Sequence, residues 1–393
     1  MSDLNGRIDA IADRIAGELV ALRRQIHRRP ELAFEETETA ALVARELGKL
    51  DPGLRTGVGR TGVVGLIEGA QAGPTIGVRA DMDALPIQEE TGLPFASEVP
   101  GTSHACGHDA HTAIALGVAR VVHELKGELK GRLKLFFQPA EETLAGAKAM
   151  LDDGALDNPR PDFVLGYHNW PALKAGTVGY LPGIVMASSD AFDITLKGKA
   201  GHGAHPHQGI DSLVGAAAFV SQLQSVVSRE VAPMLPAVVT IGQLNAGTAR
   251  NIIAALAAMK GSVRTLDAGV ARQIEAAIRR MLDGIATSMR LKATMTWTRL
   301  APVVSNDPRV LPRVVDAARS ILGDANVSVL PGPSMGSEDF GWFMEAVPGA
   351  HLRIGSRIEG LDTAIHTSNY DCNDLAILTG VKAVARAVFG LAG

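Results

Sequence analysis

Between residues 189 and 300 the order of elements changes, and this change limits the architectures open to the chain. AFDITLKG alternates as a strand, 211–227 reads as a helix, AVVTIGQLNAG and LAAMKGSVRTL read as strands, 269–288 as a helix and LKATMTWTR as a strand. That βαββαβ order is the ferredoxin-like unit. On either side the pattern is a plain alternation of strands and helices. TIGVRAD, RLKLFFQPAEE, DFVLGYHNW and HLRIGS are short apolar runs that end in Gly, Pro or a polar cluster, and 110–125, 143–151 and 374–389 carry helical spacing. Two more helices, 19–27 and 36–50, are joined by HRRPELAF, where Pro30 interrupts the pattern. The chain therefore predicts an α/β domain from 1–187 and 300–393, interrupted by an inserted α+β domain over 188–299, with hinges near 187–189 and 298–301.

The composition agrees with two buried cores, since 46% of the 393 residues are hydrophobic and only 20% are charged. A net charge of −4, with no Lys/Arg block, predicts no attraction to nucleic acid or anionic lipid. MSDLNGRIDAIADRIAGELV breaks its apolar residues with charges, unlike a signal peptide, and Ala-rich stretches such as NIIAALAAM are too short to span a bilayer. A soluble cytoplasmic protein is expected. Two cysteines, Cys106 and Cys372, cannot build a disulfide framework, and in a reducing compartment a cysteine beside histidines is more often a metal ligand or nucleophile.

Polar residues gather at the strand ends: Asp81 and Asp83, then Glu141 and Glu142, then His168. In an open α/β sheet such groups converge at the carboxyl edge. HACGHDAH, residues 104–111, adds three of the chain's eleven histidines and a cysteine. In an extended stretch Cys106 and His108 would point to the same side, while His104 and His111 fit that pair less easily. The plain alternative is a helix start capped by Asp109 with solvated histidines. In AEE, adjacent carboxylates at a strand-to-helix turn diverge, so one can bind a metal while the other faces the bound water; acids that merely favour a helix dipole are the alternative. His168 and His366 taken singly could be satisfied structural histidines. GVGRTG at 57–62 matches GxGxxG, but VVGLIEG follows instead of a helix, so a hairpin turn is expected and not a dinucleotide site. GxxxxGK[ST], GxSxG and HExxH are absent.

ADMDALP (80–86), HACGHDAH (104–111), FQPAEE (137–142), GYHNWP (166–171), MASSDAFDITLKGKAGHGAHPHQGID (186–211), GSEDF (336–340) and HTSNYDCND (366–374), in that order, closely resemble the amidohydrolase branch of the aminoacylase and carboxypeptidase superfamily of two-metal hydrolases. LRRQIHRRPELAFEE at 22–36 extends the resemblance to nearly the full chain. The branch includes hippurate hydrolases, N-acetyl-amino-acid deacetylases and plant auxin-conjugate hydrolases. The resemblance implies a catalytic two-metal domain with a ferredoxin-like lid or dimerisation domain. It implies two divalent ions (zinc, manganese, nickel or cobalt) on Cys106, His108, Glu142, His168 and His366, with Glu141 as general base and Asp83 orienting His108 or another ligand. It further implies His202 as the active-site histidine of GKAGHGAHPH, often acting on a partner's site in a homodimer, and Asn251 and Arg264 as holders of the substrate carboxylate or its oxyanion. Residues 336–340 resemble a pocket-lining loop. Two departures from the superfamily's peptidase branches, Asp81 in place of histidine and Cys106 in place of a bridging aspartate, favour the amidohydrolase branch; the chain also lacks the usual proline after Asn251. The expected reaction is amide hydrolysis in a small N-acyl amino acid, with a metallo-carboxypeptidase or dipeptidase as the competing activity.

Overall fold

The computed structural model describes residues 2–50, 53–361 and 364–393. They form two compact units. One comprises the chain up to Val185 with Ser305–Gly332 and Asp339–Gly393; the other comprises Met186–Val304 and Pro333–Glu338.

The first unit is built on an eight-stranded mixed sheet, in the spatial order Gly53–Val58, Gly62–Glu68, Lys130–Gln138, Gln71–Asp81, Phe163–Lys174, Gly349–Arg357, Val178–Tyr180, Val327–Val329. The four strands from Lys130–Gln138 to Gly349–Arg357 run parallel. Ile76, Val78, Leu133, Leu135 and Phe137 are fully buried, the continuous apolar pattern of strands covered on both faces. The GVGRTG segment closes an antiparallel hairpin between Gly53–Val58 and Gly62–Glu68, as its sequence context predicts.

Helices Ser2–Arg28, His108–Glu124, Leu311–Leu322 and Leu375–Ala392 pack beside one another. The first is longer than 19–27 because Ile8, Ile11, Ala12, Ile15, Leu19, Leu22 and Ile26 keep helical spacing throughout and all are buried. Gly117 permits the close approach: a Cβ there would meet Val381 and Leu19 at 2.5 and 2.7 Å. One helix that the sequence reading of membrane spans did not weigh passes the length test yet belongs to the core. Leu375–Ala392, with 18 residues and a mean hydropathy of 1.7, is long and apolar enough to cross a bilayer, but 78% of it is buried in this helical layer. NIIAALAAM instead contributes to strands Ile252–Ile253 and Leu256–Thr265.

The second unit has a four-stranded antiparallel sheet in the order Ala237–Ala246, Leu256–Thr265, Ser188–Lys197, Lys292–Ala301, with helices Ser212–Ser225 and Ala268–Ser288 packed on it. Chain order and sheet order are those of the ferredoxin-like unit. Phe192, Ile194 and Leu196 alternate into its core, and Val270, Ile274, Ala277, Ile278, Leu282 and Ile285 form the apolar stripe that meets them. The Asp211 carboxylate accepts from the backbone N–H groups of Leu213 and Val214, and that of Asp267 accepts from Val270, so both helices start at a side-chain cap.

Candidate metal centre

Three neighbouring parallel strands deliver acids and a histidine to one edge of the large sheet. Gln71–Asp81 ends at Asp81 and leads to Asp83; Lys130–Gln138 leads to Glu141 and Glu142; Phe163–Lys174 carries His168. His168 lies within its strand, not beyond it as the alternation suggests. The helix expected over 143–151 begins only at Gly146, because Ala140 and Leu144 take positive φ angles and hold the two glutamates in a turn.

Cys106 and His108 are not in an extended stretch. Cys106 sits in a turn, Gly107 has φ 84° and His108 opens the helix His108–Glu124. Only glycine fits at 107, since a Cβ would collide with Asn169 and the Tyr370 hydroxyl. This turn brings the Cys106 Sγ to 3.3 Å from His168 Nε2. His108 Nδ1 donates to the Asp83 carbonyl at 2.9 Å and lies 3.2 Å from its carboxylate, leaving Nε2 to face inward. The other Asp83 oxygen accepts from the Glu142 N–H at 2.9 Å. Asp83 thus fixes two candidate ligands at once.

His108 Nε2 and Glu142 Oε1 lie 3.8 Å apart, both buried and without a hydrogen-bond partner. Such orphaned polar atoms are costly unless something binds them. Donor atoms of Cys106, His108 and His168 lie within 4.8 Å of one another, as do those of Cys106, Glu142 and His366, and those of His108, Glu141 and Glu142. The three groups overlap at Cys106, His108 and Glu142, so together they offer donors enough for two divalent cations. A thiolate with imidazoles and a carboxylate suits zinc and its borderline neighbours.

Burial pushes the Cys106 thiol well up, helped by the Glu142 charge, and drives His168 well down, so in the bare protein both are neutral. Burial would lower His108, but the charge of Asp81, the neighbouring Cys106 and the hydrogen bond to Asp83 together raise the group well above the usual histidine range. Burial would likewise raise Glu142, yet its hydrogen bond to His366 and the charge of His108 hold it down; that hydrogen bond in turn raises His366.

Buried charges frame this cluster, and of these the sequence singled out Asp81 and Asp109 but not Arg23, His27 or Arg79. Arg23 donates to Asp109 at 2.8 Å, to the Cys372 carbonyl at 3.2 Å, and to Asp371 and Asp374 at 2.7 and 3.1 Å. It ties the helix start that carries His108 to the segment after His366. His27 bonds the same Asp109 oxygen at 2.7 Å, so Asp109 anchors the site and does not serve as a solvated cap. Asp81 accepts from Arg79 at 2.6 Å and from His111 Nδ1 at 2.6 Å, while His111 Nε2 accepts from the backbone N–H of Asn169 at 2.8 Å. His111 therefore fixes the strand that holds His168. For Arg79 and Asp81 the available signal was charge inside the apolar run TIGVRAD.

In the inserted unit, His202 lies on the short strand Gly201–His202, paired with Ile252–Ile253, and the Asn251 carbonyl accepts from Gly203 at 2.8 Å. His202 and Asn251 are thus neighbours, and both are exposed. Arg264 stands on Leu256–Thr265 and donates to the Ser337 hydroxyl of the 336–340 loop; partial burial lowers its pKa.

The profile of Peptidase family M20/M25/M40 matches residues 77–389. The chain belongs to this family. Among M20/M25/M40 relatives it is 42% identical to N-acetylcysteine deacetylase of Bacillus subtilis, over 86% of this chain and 88% of that one. It is 39% identical to hippurate hydrolase of Campylobacter jejuni, over 92% and 93%. In three dimensions it matches YXEP of Bacillus subtilis, described as a dinuclear metal binding peptidase from the M20 family, with a TM-score of 0.83 and 35% identity, over 96% of this chain and 98% of that one. The protein is a metal-dependent hydrolase of the amidohydrolase type.

Proposed function

We propose that this enzyme hydrolyses the amide bond of N-acyl amino acids, of hippurate or N-acetyl type, to a carboxylic acid and a free amino acid. One observation carries the reading: Glu141 stands beside Glu142 and within 4.0 Å of His108 Nε2, a second acid next to a complete ligand set. Cys106, His108, Glu142, His168 and His366 would hold the cations. Divalent cations held there would supply Lewis acidity, the chemistry that polarises an amide carbonyl and lowers the pKa of a water from 15.7 to about 7. Glu141 takes the proton from the attacking water and returns it to the leaving nitrogen. Asp83 keeps His108 in the tautomer that presents Nε2.

The inserted domain, 188–299, serves in this reading as lid and dimer contact between catalytic segments 1–187 and 300–393. Asn251 and Arg264 hold the substrate carboxylate or its oxyanion, Arg264 through its planar fork. His202 acts on the partner's site in a homodimer. Leu213, Val214, Leu235, Leu244 and Leu256 of this unit are each more than one third exposed in a single chain, which suits a surface covered by a second copy. A cytoplasmic location agrees with two cysteines that are both free and buried.

The test is to incubate the metal-loaded protein with hippurate, N-acetyl-methionine and Gly-Leu and assay free amines. Release from the first two supports the reading, whereas cleavage of Gly-Leu alone makes the enzyme a dipeptidase.

A further inference from the structure

A pocket of about 720 Å³ opens in the α/β unit beside the strand Phe163–Lys174 and the segment that follows Gly349–Arg357. Trp170, Pro171, Ile358, Leu361 and Ile365 form its apolar wall. Among the described residues its only charged lining group is Arg357, which donates to the carbonyls of Pro171 and Ala172 and so is engaged on backbone. Trp170 is held in place: the Arg353 guanidinium lies 4.2 Å from its ring centroid, and the His168 ring meets it edge-on at 6.2 Å. The pocket also begins where two candidate ligands end. Trp170 follows His168 by two positions, and Ile365 directly precedes His366.

We propose that this pocket takes the acyl arm of the substrate, and that the arm is an aliphatic chain or aromatic ring larger than acetyl. The proposal rests on the N-acyl amino acid reading. There, Asn251 and Arg264 receive the carboxylate end, and the pocket offers that end no cation beyond the engaged Arg357. Its volume lies in the range of sites that enclose whole small molecules. An acetyl methyl would leave most of the wall in water, including Leu361, which is 38% exposed. Each further methylene buried against such a wall strengthens binding by about fourfold.

The experiment measures, by calorimetry, the affinity of the metal-loaded protein for acetate, hexanoate and benzoate, alongside turnover of the matching N-acyl methionines. The carboxylate is common to all three acids, so their differences report the pocket. Hexanoate and benzoate should bind at least about tenfold more tightly than acetate. Ile358→Trp, which fills the pocket, should cut that margin below about threefold. Leu361→Asp, which charges its mouth, should do the same, and serves where the first variant does not fold. Equal affinities in the wild type, or a margin untouched by a folded variant, would overturn the proposal. So would flat affinities with a dimer that Leu361→Asp dissociates, which would give the surface to a second copy. A preserved margin with no turnover of any N-acyl amino acid supports the pocket and overturns the function reading alone.

Discussion

In the α/β unit, four of the five groups that would hold metal are largely enclosed, His108 at 0% exposed and His168 at 6%, with Asp81, Asp83, Asp109, Arg23 and Arg79 buried around them, and His366 alone of the five is exposed. In the inserted unit, His202 and Asn251 are exposed, and the His202 ring has its own Ala204 N–H as a hydrogen-bond donor at 3.0 Å. Burying so many charges is tolerable only when each is matched, so the first cluster forms as part of folding and has little freedom to rearrange. The second group adds little to the fold. Its residues are free to be recruited to chemistry when a substrate or a partner subunit covers them.

The sharpest way to break this contrast is to change the first group without disturbing its frame. Glu141→Gln should keep fold and metal but lose about 10²–10⁴ in kcat, because an amide cannot take the proton. Cys106→Ala should instead lower the metal content. Near-normal kcat in metal-loaded Glu141→Gln would move the base elsewhere. In the inserted unit, Arg264→Met should lower kcat/KM for N-acyl amino acids by about ten- to a hundredfold, the loss of a charge-assisted hydrogen bond. Equal cleavage of a substrate and its α-amide by the wild type would remove the carboxylate role.

A smaller signal tests whether the exposed group is completed by another chain. Glu141→Gln and His202→Ala are each expected to be inactive; mixed with subunit exchange, they should recover up to about a quarter of wild-type activity, since half the dimers are mixed and each has one intact site. No recovery despite exchange would leave His202 acting within its own chain or not at all.

The last test concerns the stability of the frame alone and leaves turnover aside. Burial would lower the pKa of His27, yet the charge and hydrogen bond of Asp109 lift it to about 9. The folded protein therefore keeps a proton that the unfolded chain releases near 6.5. This contribution, about 3 kcal/mol, is complete below pH 6.5 and lost as pH rises through 9. Denaturant titrations of wild type and His27→Gln should converge over that window, with the wild type the steeper; parallel curves would mean that His27 is not charged.

Much of this was legible from sequence because strands and chemistry announce themselves together. The apolar runs ending at Asp81, Gln138 and Asn169 mark where a sheet hands its polar residues to a crevice, and the βαββαβ order marks the inserted sheet. The conformation of Cys106 was not legible. It depends on Gly107 adopting φ 84° against Asn169 and Tyr370, contacts distant in sequence. For the same reason Arg23 gave no sign of joining Asp109 to Asp371 and Asp374, since ion pairing across a fold leaves no periodic trace. Nor does periodicity tell a membrane span from a core helix, as Leu375–Ala392 demonstrates.

That the cluster around Cys106, His108 and Glu142 holds two cations on which hydrolysis depends is tested by stripping the protein with a chelator and titrating zinc or manganese back while counting bound metal and turnover together. The account predicts no activity in the stripped protein, two ions per chain at saturation, and turnover that returns with them. Full activity in exhaustively demetallated protein would contradict it.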